Sequence, residues 1–114
     1  PLIDARRMEV YCAVFDGNSG EMISGTEAKL LDEQYFTELA GKKILFVGDG
    51  AKKAKEILQL ENADFVENIY PSAKYLIKKS VEKFNRQDFA DVAYFEPFYL
   101  KDFHGVKKKS PENL

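Results

Sequence analysis

Two short constellations in the chain hold residue types able to do chemistry. The first is Asp4-Ala5-Arg6-Arg7-Met8, which sits between two apolar segments. One carboxylate and two guanidiniums within four residues can attract an anion, form an ion pair or shape a turn. Arginine suits phosphate because its planar fork donates hydrogen bonds in pairs. The second is Gly48-Asp49-Gly50, directly after the apolar run Ile44-Leu45-Phe46-Val47. A strand, a glycine turn and a helix in that order can present backbone N–H groups to phosphate or adenosine. Each constellation has a plainer reading. Asp49 would simply lie near a helix N-terminus, where a carboxylate is favoured. Asp4 and Arg6 would form a structural ion pair or a hydrogen bond to the turn, and an exposed pair contributes only ~0–1 kcal/mol.

The remaining reactive side chains argue against catalysis. Cys12 lies in the apolar segment 8–15 and reads as a core residue. As the sole cysteine it excludes an internal disulfide and a zinc site of several thiolates. His104 is the sole histidine, so paired-histidine metal motifs are excluded. A Cys12–His104 nucleophile pair would need a long-range contact. No catalytic residue, metal ligand or cofactor is expected. Lys107-Lys108-Lys109 reads as part of a solvated tail over 104–114, the alternative being a weak contact to RNA or an acidic partner.

The elements that must position these residues follow from periodicity. Residues 8–15 are β-branched and aromatic. Met8, Val10, Cys12 and Val14 fall on one face and Tyr11, Ala13 and Phe15 on the other, which predicts a strand covered on both sides. Leu2-Ile3-Asp4 ends a strand before it. Asp16-Gly17-Asn18-Ser19-Gly20 is a hairpin loop by composition, with a returning strand over 21–29. A short helix is expected over 32–40, capped by Asp32 and ended by Gly41. A buried parallel strand over 43–47 leads through the glycine turn into a helix over 51–58, with Ala51, Ala54, Ile57 and Leu58 on its buried face. Residues 64–66 make a short strand. The longest helix opens at Pro71-Ser72 and runs to 86, with Ala73, Leu76, Ile77, Val81 and Phe84 at helical spacing. Residues 92–100 are aromatic and contain Pro97, which suits an extended segment packed on a surface or an edge.

The order is a β-meander followed by βα units, a mixed sheet with helices packed on it, hence an α/β domain. At 114 residues the chain holds one domain, long enough to bury a core without metal or disulfide. Its 17 basic and 19 acidic residues give a net charge of −2, which provides no bulk electrostatic grip on nucleic acid. No run approaches the ~20 apolar residues of a membrane span. One cysteine and no signal peptide point to a reducing compartment.

The segment Ile3-Asp4-Ala5-Arg6-Arg7-Met8-Glu9-Val10-Tyr11 closely resembles the D-A-R-x-x-E-V-Y signature of the TsaB (YeaZ) family. Val47-Gly48-Asp49-Gly50-Ala51 is similar to that family's strand–turn–helix element, and Pro97-Phe98-Tyr99-Leu100 to its closing P-x-Y-L element. The three fall in the family's order across nearly the whole chain. The resemblance implies one lobe of the actin-like ATPase (ribonuclease H-like) fold. It implies the C-terminal lobe of a longer two-lobe protein, because the family's preceding lobe has no counterpart here.

It further implies a cytoplasmic, non-catalytic scaffold that works with TsaD and TsaE homologues to form threonylcarbamoyl-adenosine on tRNA. Contact with TsaD would run mainly through the other lobe. The superfamily's glycoprotease label finds no support in the residues present. By position, Asp4, Arg6 and Arg7 occupy a nucleotide hairpin, and Gly48, Asp49 and Gly50 a second nucleotide turn. The hairpin has no glycine, so the phosphate cradle is degenerate. Two alternatives are a lobe of an active actin-like ATPase or kinase, and a general protein-interaction module. A face left bare around Phe95, Phe98 and Tyr99 predicts self-association.

Overall fold

The computed structural model describes residues 1–32, 34, 39 and 41–101. Strand β1 (Leu2–Asp4) turns into β2 (Glu9–Phe15), which turns into β3 (Met22–Leu30). Both pairings are antiparallel, with Leu2 opposite Cys12 and Tyr11 opposite Ala28. The hairpin loop between β2 and β3 is closed by Asp16. Its carboxylate accepts from the N–H groups of Asn18 and Ser19, and these bonds hold it below the usual carboxylate range. Such a loop is the one its Asp-Gly-Asn-Ser-Gly composition predicts.

Strand β4 (Ile44–Val47) pairs in parallel with β5 (Ala63–Val66), and helix α1 (Ala51–Ile57) makes the crossover between them. Phe46 and Phe65, opposite each other in this ladder, stack at 5.0 Å. The described residues thus form a mixed α/β arrangement, with a three-stranded antiparallel sheet and a two-stranded parallel one. The expected single mixed sheet is therefore divided. β1 is three residues long, and its outer edge bonds to the turn that follows β4, not to β4 itself.

Where the two sheets meet lies the core of Leu2, Val10, Cys12, Leu31, Phe46, Ala54 and Leu58. Cys12 is buried, as its place on the Val10 face requires. The expectation that both faces of β2 are covered holds only in part. Val10 and Cys12 are buried, Tyr11 and Ala13 are half-buried, and Met8 and Phe15 lie exposed. Ala51 and Ala54 are fully buried, on the face that α1 turns toward the protein interior, and α1 packs against β5 and β1.

The second half departs further from expectation. A 3-10 turn (Ala73–Leu76) leads into helix α2 (Ile77–Asn85), as the periodicity predicts. Yet every residue from 68 to 99 is exposed. Leu76, Ile77, Val81 and Phe84 form the expected stripe, and nothing among the described residues covers it. Phe84 meets the nearby Phe89 ring edge to face. Residues 92–100 were expected to pack on a surface or an edge. Instead Phe95, Phe98 and Tyr99 stand open at 73–79 % exposure, and the chain returns to the sheet only at its half-buried Leu100 and at Lys101. Local sequence sets the helical spacing, but covering the stripe needs a second surface. The helix expected over 32–40 lies largely outside the described residues, as do His104, the triple lysine and the tail. At its start, Asp32 accepts from the Gln34 N–H, as a capping residue would.

Candidate functional site

All six residues singled out in the sequence meet in one place, the outer edge of β1. The turn from β1 to β2 is tight and conformationally unusual. Arg6 and Arg7 both have positive φ, 72° and 49°. This is the left-handed region, which disfavours side chains other than glycine by roughly 1–2 kcal/mol per residue. The turn survives because its backbone is tied down. Asp4 Oδ1 accepts from the Arg6 N–H at 2.7 Å, and Ala5 N–H donates to the Glu9 carbonyl. The glycine-free hairpin therefore takes a glycine-like shape with two arginines in it, and both side chains project into solvent.

The side chain at its centre was not singled out in the sequence. Lys53, on α1, reaches back into the hairpin and donates to three oxygens. These are Asp4 Oδ1 at 2.6 Å, the Arg7 carbonyl at 2.9 Å and the Glu9 carbonyl at 2.8 Å. An ammonium has three protons, so its donor capacity is filled. Lys53 and the Arg6 N–H together hold the Asp4 carboxyl below its usual range, the lysine being the larger cause. The structural ion pair of Asp4 is therefore with Lys53 and not with Arg6, whose link to Asp4 runs through its backbone N–H. The signal available in the sequence was faint. Ala51 and Ala54 mark the buried face of α1, and Lys53 is one of two lysines between them.

The glycine turn docks on the same strand. Gly50 N–H donates to the Leu2 carbonyl at 3.2 Å, and the Asp4 N–H donates to Asp49 Oδ1 at 3.0 Å. Asp49 thus spends its carboxylate on β1, and the helix begins after Gly50 with no side-chain cap. Gly48 has φ 119°, and a Cβ built on it would lie 2.1 Å from the Leu2 carbonyl oxygen. Gly50 has ordinary helical geometry, and its Cβ would press on Leu2 Cβ and Val10 Cγ1 at 3.1 and 3.3 Å. The turn's need for glycine is therefore conformational at Gly48 and one of packing at Gly50.

A phosphate needs convergent N–H donors and unspent positive charge. Here the hairpin turns two carbonyls and a carboxylate inward and Lys53 is consumed by them, so the unspent positive charge is that of Arg6 and Arg7, whose side chains lie out in solvent. Close by, Lys101 contacts the Glu9 carboxylate and stands 5.6 Å over the Tyr11 ring. The cluster is a set of internal ties joining hairpin, helix, turn and returning chain. Among the described residues no group of three or more His, Cys, Asp or Glu could hold a metal ion, and no helix is long and apolar enough to cross a membrane. No family model, no curated protein and no solved structure matches the chain. Fold and site define the class as a mixed α/β domain whose polar cluster is built for cohesion.

Proposed function

We propose that the chain is a non-catalytic scaffold lobe of the TsaB type, supporting threonylcarbamoyl-adenosine formation on tRNA with TsaD and TsaE homologues. The observation that carries the reading is the fate of the D-A-R-R-M-E-V-Y segment. Its hairpin is filled from within by Lys53, at the place where an actin-like ATPase would receive phosphate. A degenerate nucleotide hairpin fits a scaffold better than an active ATPase or kinase. The finer fold, one lobe of the actin-like architecture, is part of the same proposal. The β1-β2-β3 meander, the parallel β4–β5 pair and the bonds from the 48–50 turn to β1 agree with a sheet of that order.

The test is loss of the protein that carries this chain. Nucleoside mass spectrometry of tRNA should show a large drop in threonylcarbamoyl-adenosine, restored by the intact gene. An unchanged level rejects the role. Calorimetry with ATP and Mg²⁺ addresses the enzymatic alternative, where a low-micromolar Kd, about −8 kcal/mol, would overturn the degenerate-site argument.

A further inference from the structure

Residues 68–99 form an arm that is exposed throughout, and its two halves carry opposite charge. The first, 73–87, holds five basic residues and one acidic, a net charge of +4. The second, 88–100, holds Asp88, Asp91 and Glu96 and no basic residue. Both halves are also apolar. On α2, Ile77, Val81 and Phe84 fall on one face, each more than half exposed. In the second half the rings of Tyr94, Phe95, Phe98 and Tyr99 stand open. A structured corner holds the halves in a fixed relation. Gln87 has φ 57°, its N–H donates to the Phe84 carbonyl, and the Asp88 N–H donates to the Lys83 carbonyl. This is the two-bond helix stop in which a left-handed residue closes the last turn. The Lys83–Asp88 ion pair and the Phe84–Phe89 contact brace the same corner. Beyond it Asp91 closes a further turn, its carboxylate accepting from the Ala93 N–H and its carbonyl from the Tyr94 and Phe95 N–H groups.

We propose that this arm is a homodimer surface, in which α2 of one copy lies on the aromatic segment 88–100 of a second copy, and the reverse, about a two-fold axis. A two-fold contact brings residue i to j and j to i, so a patch with halves of opposite sign complements itself when inverted. An anionic bilayer or an acidic protein would attract the helix and repel the segment beside it, whereas a second copy satisfies both. The area is sufficient. Phe84, Phe89, Tyr94, Phe95, Phe98 and Tyr99, at 64–85 % exposure, present roughly 900 Å² per copy. A standard interface buries about 800 Å² per partner. Lys78 flanks the α2 stripe and Glu96 lies between Phe95 and Phe98. Neither has an ion-pair partner among the described residues, so each is free to meet the other across the axis. The pairing is independent of the tRNA reading.

Sedimentation equilibrium of the full chain and of two variants, Lys78→Glu and Glu96→Lys, tests it. Both positions are exposed, so the substitutions leave the core untouched. The natural chain should dimerise, and each variant alone should do so about tenfold more weakly, because like charges then meet at both contacts. An equimolar mixture of the two variants should recover most of the natural affinity, since a mixed pair restores opposite charges at both contacts. A mixture that associates no more tightly than either variant alone overturns the proposal, and so does a natural chain that stays monomeric at millimolar concentration. Binding of the monomeric natural chain to phosphatidylglycerol vesicles, abolished by Lys78→Glu, also overturns it, because a bilayer would then be the occupant of α2.

Discussion

Replacing Lys53 by alanine tests the central claim about the polar cluster. The ammonium makes three charge-assisted hydrogen bonds, and its side chain is only 18 % exposed. Bonds to charged groups contribute ~1.5–3 kcal/mol each when their partners cannot turn to water. Two of the three partners can. Asp4 is 47 % exposed, so that pair is screened and contributes about 0.5–1 kcal/mol. The Arg7 carbonyl lies at the surface as well. Only the Glu9 bond is part-buried and counts near its full value. Truncation also frees side-chain entropy, which offsets up to ~1.5–2 kcal/mol of the loss. The net cost is about 2 kcal/mol, or a fall in Tm of roughly 8 °C for a domain of this size. Urea denaturation followed by circular dichroism gives the number, with Lys52→Ala as an exposed neighbour expected to stay within about 0.5 kcal/mol of the natural chain. A Lys53→Ala midpoint indistinguishable from that of Lys52→Ala would refute the reasoning, since the hairpin would then hold its shape without the lysine.

Other outcomes follow from the same geometry. Gly48→Ala should cost more than Gly50→Ala, roughly 3 against 1 kcal/mol, because the first drives a Cβ to 2.1 Å from a backbone oxygen at positive φ and the second, at ordinary φ, meets its neighbours at 3.1–3.3 Å; equal denaturation midpoints would refute the distinction. Asp4 has a lowered pKa in the folded state, so its contribution is present above the unfolded carboxylate value and is lost as pH falls through the folded one. Asp4→Asn should therefore flatten the loss of stability on acidification below about pH 4, seen as a smaller drop in urea midpoint between pH 5 and pH 3. Arg7→Gly should leave stability unchanged or raise it by up to about 1 kcal/mol, because relief of the left-handed strain outweighs the added freedom of the unfolded chain; a clear loss would mean that the arginine side chain holds the turn. The bare aromatic segment around Phe95, Phe98 and Tyr99 should drive self-association, which light scattering over a concentration series would register as mass above 13.0 kDa.

Much of the local structure was fixed by the chain's own pattern. Alternation of apolar residues placed Val10 and Cys12 inward on β2, and composition closed the 16–20 loop. An apolar run followed by Gly-Asp-Gly produced β4, a turn and α1, each within a residue or two of its expected bounds. These features depend on near neighbours and on steric rules that every chain obeys. The six candidate residues were legible for a related reason, since charged and glycine-rich turns interrupt apolar runs and stand out. Their partners were not. That Asp4 pairs with Lys53, 49 positions away, and that Asp49 receives the Asp4 N–H, depends on the angle at which α1 and its turn lie across β1. The same holds for Gly48, whose glycine is demanded by a carbonyl 46 residues earlier in the chain. Sequence could state that α2 carries an apolar stripe, but whether that stripe is covered depends on surfaces outside the helix, and here it is open. Periodicity is a property of a segment, whereas burial and pairing are properties of two segments brought together, and only the tertiary structure decides which two.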